Sequence, residues 1–83
     1  MPKYLDSHPT NPNVPPEMVE GIRQKLLARQ PDENGVVGLN MLVAQDTTYC
    51  LAEAPNAQAV HTSHEQMGVK LGPGDVKEVQ ALV

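Results

Sequence analysis

Val36-Val37-Gly38-Leu39-Asn40-Met41-Leu42-Val43-Ala44-Gln45-Asp46-Thr47-Thr48-Tyr49-Cys50-Leu51-Ala52-Glu53 is the stretch on which the fold turns. Residues 36–45 are apolar and rich in β-branched side chains, and an extended chain sets Val37, Leu39, Met41 and Val43 on one face. Gln45 and Asp46 suit a tight reversal. Residues 47–53 then alternate, with Thr48, Cys50 and Ala52 facing one way and Tyr49, Leu51 and Glu53 the other. Two such runs with so short a connection predict an antiparallel hairpin.

Upstream of the hairpin, Pro31, Asp32, Asn34 and Gly35 make a turn. The spacing before it predicts a helix over residues 16–29. Pro15 and Pro16 suit the helix entry, where a missing N–H costs nothing. Glu17 and Glu20 lie near the positive end of the helix dipole, and Arg23, Lys25 and Arg29 toward the negative end. Met18, Ile22 and Leu26, with Val19 and Leu27 beside them, form an apolar stripe expected to pack in the core. Residues 9–16 hold four prolines and two asparagines and read as an ordered loop. Residues 3–8 read as a short strand, with Tyr4, Asp6 and His8 on one side.

Downstream, Pro55 and Asn56 open a second helix with Asn56 as its N-cap, and Gly68 ends it. Val60, His64 and Met67 share one face of that helix, with His61 alongside. Gly72, Pro73 and Gly74 form a turn, and residues 75–83 supply a last strand with Val76, Val79 and Leu82 as its apolar members. The order is β-α-β-β-α-β, a split pair of βαβ units, which is the ferredoxin-like α+β arrangement. Two helices then cover one sheet face and leave the other free for a second copy, as in dimeric α/β-barrel association.

With 83 residues there is room for a single domain spanning 1–83. A chain of this length buries only about 60–65% of the surface its unfolded form exposes. Its core must also do without Phe and Trp. Pairing into a homodimer would add buried apolar area. The six basic residues are scattered and not interleaved with aromatics, which excludes a nucleic-acid footprint. No stretch approaches the roughly 18 apolar residues of a membrane span. Cys50 is alone, so a disulfide scaffold is excluded, and the opening residues carry no apolar run suited to a signal peptide. A cytoplasmic protein is expected.

Residues with metal-ligand character are few: His8, His61, His64, Cys50, Asp6, Glu53 and Glu65, with Met41 and Met67 as soft thioethers. His61 and His64, three apart on the second helix, project to neighbouring positions, and Asp6 and His8, two apart on a strand, point to the same side. Either pair is able to hold one transition-metal ion, although each is also an ordinary solvated surface pair. Cys50 lies between Tyr49 and Leu51 and reads as a small core hydrophobe. Met18, Met41 and Met67 fit apolar faces and read as core. No Gly-rich phosphate loop is present, because Gly72-Pro73-Gly74 lacks the strand–helix context. A Cys–His nucleophile from Cys50 and His64 would need a spatial contact that spacing does not show.

The run Thr48-Tyr49-Cys50-Leu51-Ala52-Glu53-Ala54-Pro55 leads into a helix carrying His64-Glu65 and ending at Gly68, followed by Asp75 and Val76-Lys77-Glu78-Val79. This resembles the small bacterial nickel-binding proteins grouped as the DUF4242 family. The resemblance implies a ferredoxin-like homodimer that binds nickel at sites on the dimer surface without catalysis, in metal sequestration or tolerance. It carries a metal role to His64 and Glu65, to which ligand chemistry adds His61, His8 and Asp6. Nickel itself rests on the resemblance, since nitrogen and oxygen donors bind copper(II) more tightly. The alternative is a dimeric α/β-barrel enzyme or small-molecule binder with a pocket near Tyr49, His64 and Asp6. A plain interaction module using the exposed sheet face is a third reading.

Overall fold

The hairpin forms, and flanking strands extend it into a four-stranded antiparallel sheet. The computed structural model describes residues 1–82, in the order β1 (Lys3–Pro9), α1 (Pro16–Ala28), β2 (Val37–Val43), β3 (Thr47–Glu53), α2 (Ala57–Gln66) and β4 (Val76–Val79). The strand order is β2-β3-β1-β4, so β1 and β3 lie at the centre. This is the ferredoxin-like arrangement expected from the order of elements. Among the described residues, no helix is long and apolar enough to cross a membrane.

Register decides which side chains meet. Tyr4 lies opposite Ala52, Asp6 opposite Cys50 and His8 opposite Thr48, all on the face that the helices cover. Thr48 is buried there, and its hydroxyl meets that of Thr10 at 2.8 Å. Thr10 also donates to the Ala44 carbonyl, which ties the proline-rich loop to the hairpin. The opposite face carries no helix and includes the half-buried Leu5 and Leu51 and the exposed Tyr49.

Each helix has identifiable local causes. In α2, Asn56 accepts a hydrogen bond from the Ala59 amide at 2.9 Å, an N-cap that satisfies one orphan donor. At the other end Gly68 sits at φ +80°, where glycine carries no Cβ penalty. There the Gly68 amide donates to the Glu65 carbonyl and the Val69 amide to that of His64. Those two bonds make a Schellman motif. In α1, Pro15 stands at the N-cap without a side-chain bond, and Arg29 ends the helix in a left-handed conformation.

The core is concentrated under α2. Tyr4, Ala54, Val60 and Leu71 form it, flanked by Val36, Ala57, Ala59, Val69 and Val76. In contrast, α1 buries no residue, and Met18, Val19 and Leu27 are more than half exposed. The expected core stripe on α1 is thus only partly buried, through Ile22 and Leu26.

Three other expectations are corrected. The pairing of β2 with β3 shifts between Gly38 and Asn40, so the alternation of 36–45 breaks at Leu39. Gly38, Met41 and Val43 therefore share the helix-covered face, while Val37 pairs with Glu53 on the other. Arg29 donates to the Leu39 carbonyl at this bulge, and a Cβ at Gly38 would lie 2.8 Å from Leu26, so α1 can approach only over glycine. Met67 caps α2 with 68% of its surface exposed, not in the core. Finally, β4 stops at Val79, leaving Leu82 outside the sheet and 89% exposed, while residue 83 of the expected strand lies outside the described residues.

Candidate metal centre

Strand alternation places Asp6 and His8 on the same side of β1, and the central pairing sets Cys50 of β3 directly across from Asp6. From above, α2 lowers His64 onto these three. Ligand atoms of Asp6, His8, Cys50 and His64 all lie within 4.8 Å of one another. His64 Nε2 is 3.2 Å from Asp6 Oδ1, and His8 Nε2 is 3.8 Å from Cys50 Sγ. The two imidazole rings meet edge to face with centroids 5.7 Å apart.

Both histidines are oriented by their other nitrogen. His64 Nδ1 lies 2.9 Å from the Val60 carbonyl one turn back, and His8 Nδ1 lies 3.2 Å from the carbonyl of Pro9. A carbonyl partner holds the proton on Nδ1 and leaves the Nε2 lone pair for the centre, which is how metal-ligating histidines are commonly fixed. A hydrogen-bonded clamp steadies α2 at the same level. Ser63 donates to the Asp32 carboxylate, while the Asn34 amide donates to Ser63 and Gln66. Burial works to raise the Asp32 carboxyl, but the Ser63 hydroxyl and the Val36 and Asn34 amides outweigh it and hold it below its usual range.

Asp6 is the unusual member. Its side chain is fully buried, and among the described residues no donor is aligned to hydrogen-bond either oxygen. Its 3.2 Å approach to His64 is a charge contact. A buried carboxylate without hydrogen bonds is costly unless a cation faces it. When no ion is bound, a proton on His64 serves that need. Burial opposes the imidazolium, but the Asp6 carboxylate, with help from Cys50 and the Val60 carbonyl, pushes the His64 pKa up to about 10. An orphaned anion, two aimed imidazoles and a thiol fit a borderline transition-metal ion.

The structure thus brings together three of the five residues singled out from the sequence, namely Asp6, His8 and His64. His61 and Glu65 do not join them, and Glu65 is exposed. Sequence reasoning counted Cys50 among residues of ligand character but read it as core, because its chain neighbours Tyr49 and Leu51 are apolar. Those neighbours point to the other sheet face, and the relevant company of Cys50 comes from β1. A signal was present: the β-α-β-β-α-β order makes β1 and β3 central neighbours. Of two shallow depressions, one of about 540 Å³ lies by residues 1–3 and 78–81, and one of about 170 Å³ touches Asp6 and Tyr49 but not His8, Cys50 or His64.

Fold and site together define a small ferredoxin-like protein with a carboxylate–imidazole–thiol centre between its sheet and second helix. The chain belongs to the nickel-responsive, SCO4226-like family, whose model matches residues 4–72 and so spans all four members of the centre. It is similar to SCO4226 from Streptomyces coelicolor A3(2), whose crystal structure it matches at 29% identity with a TM-score of 0.67. That match covers 98% of this chain and 99% of the other. No curated protein matches the chain.

Proposed function

We propose that this protein captures a divalent transition-metal ion between β1 and α2, with nickel as its cargo, and does so in metal sequestration or tolerance without catalysing a reaction. The observation that carries the reading is the buried Asp6 carboxylate, which has His64 at 3.2 Å as its ionic partner and no aligned hydrogen bond among the described residues, facing two imidazoles whose Nδ1 atoms are turned to backbone carbonyls. Once the ion displaces the His64 proton, such a set presents an anion and two lone pairs at one point. Nickel enters through the family description, since the donor types alone suit several ions.

Calorimetric titration with nickel tests this directly. The unaltered protein should show saturable heat at one ion per chain, strongly weakened in Asp6→Asn, His8→Ala and His64→Ala. His61→Ala and Glu65→Gln should titrate like the parent, because neither residue belongs to the group. Absence of saturable heat in the parent sinks the reading.

Self-association is part of the same proposal. The helix-free sheet face, with Leu5, Tyr49 and Leu51, is the surface offered to a second copy. Burial of such a face supplements a core in which five hydrophobic residues are buried among those described. Light scattering should give twice the chain mass. A single free cysteine within a ligand set suits a reducing compartment such as the cytoplasm.

A further inference from the structure

We propose that Cys50 is itself a ligand, bound as thiolate, so that the chain supplies four donors and holds its ion through sulfur instead of as a hydrated surface cation. The inference rests on the metal-capture reading and adds its coordination chemistry. Three observations carry it.

The first is geometric. Ligand bonds of about 2.0–2.3 Å place the donors of a four-coordinate ion about 3.3–3.8 Å apart along the edges of a tetrahedron. Two such edges already exist: 3.2 Å from His64 Nε2 to Asp6 Oδ1, and 3.8 Å from His8 Nε2 to Cys50 Sγ. No pair in the group is separated by more than 4.8 Å, so closure on an ion needs side-chain adjustment and no movement of strands.

The second is charge. Asp6 and His64 are buried, so an ion between them is largely removed from water. A dication facing Asp6 and two neutral imidazoles would keep one uncompensated positive charge there, which is costly in a low-dielectric site. If Cys50 gives up its thiol proton to solvent as the metal–sulfur bond forms, carboxylate and thiolate together neutralise the dication.

The third is placement. Cys50 stands directly across the ladder from Asp6 on the covered face and is half-buried. A thiol used only for packing would not need the one face position that lies opposite an orphaned carboxylate. Sulfur in the set selects borderline ions such as nickel, cobalt and zinc against magnesium, manganese and calcium, which favour oxygen.

The test uses cobalt(II) and nickel(II) on the full chain, followed by ultraviolet–visible absorption. Thiolate ligation predicts a sulfur-to-metal charge-transfer band that saturates at one ion per chain, and cobalt bands of the intensity of a four-coordinate ion. Cys50→Ser should lose the charge-transfer band and bind nickel at least about tenfold more weakly, the lower end of what even outer-shell partners contribute. Because Cys50 is the only cysteine, the unaltered protein provides a second readout that does not depend on the variant folding. Bound nickel should slow alkylation of Cys50 by iodoacetamide at least about tenfold, the same margin. Saturable nickel binding without a charge-transfer band, and with an unchanged alkylation rate, overturns the sulfur ligand while leaving metal capture intact. Failure of any ion to bind saturably by calorimetry overturns both.

Discussion

The two helices of this protein are alike in amphipathicity and unlike in everything that follows from it. α2 is capped at both ends and buries Val60, Ser63 and His64, whereas α1 lacks a side-chain N-cap bond and only half-buries Ile22 and Leu26. The difference lies in what each meets on the sheet. Beneath α2 are Tyr4 and Asp6, and the Asp32–Ser63 clamp ties it to the turn before β2. Beneath α1 is Gly38, which admits Leu26 and offers it no side chain to pack against. An apolar stripe states that a helix can dock; the opposing surface decides how deeply. The centre sits on the well-packed side, where the central strands and α2 hold its ligands.

The largest way to break this contrast is to remove a ligand that the packed side presents. His64→Ala should weaken nickel binding by more than the about 10–100-fold that outer-shell partners cost, with the fold retained by circular dichroism. Binding as tight as in the parent would detach the centre from α2.

The charge held on that side gives the next effect. His64 titrates near 10 in the folded metal-free protein against 6.5 when unfolded. A pKa raised by folding means the folded state holds its proton more tightly. The stabilisation is therefore complete below pH 6.5 and is lost as pH rises through 10. Urea unfolding of the metal-free protein should show stability falling across that interval, and Asp6→Asn should flatten the fall. Nickel affinity should move the other way and rise with pH, because the ion displaces the His64 proton.

Packing differences come third and fourth. Val60 is fully buried in α2, and Val60→Ala should cost about 2 kcal/mol. Removing the α2 cap with Asn56→Ala should cost about 1 kcal/mol, both losses being read from denaturant midpoints. Smallest is Leu27→Ala on the exposed side of α1, expected within about 0.5 kcal/mol. A larger loss that grows with protein concentration would show that α1 packs against a second chain.

Much of this architecture was legible along the chain for identifiable reasons. Period-two and period-four apolar patterns, prolines before α1, Asn56 before α2 and Gly68 after it are local signals, and they mark the elements to within a few residues. The β2 bulge was not legible, because it answers to Arg29 and Leu26 from another element. Depth of burial was not legible either: Met18 and Met67 sit at positions that read as core and stand in solvent.

The centre divides in the same way. Strand alternation alone put Asp6 and His8 on a common side, and helical spacing with the family resemblance marked His64. Adjacency in the chain carried less, because His61 and Glu65 beside His64 are not part of the group and the apolar neighbours of Cys50 belong to the opposite face. Local order along a chain specifies periodicity, caps and turns, since these depend on atoms a few bonds apart. Which thiol meets which carboxylate depends on cross-strand register and on where a helix lands, and those are settled only when distant segments pack.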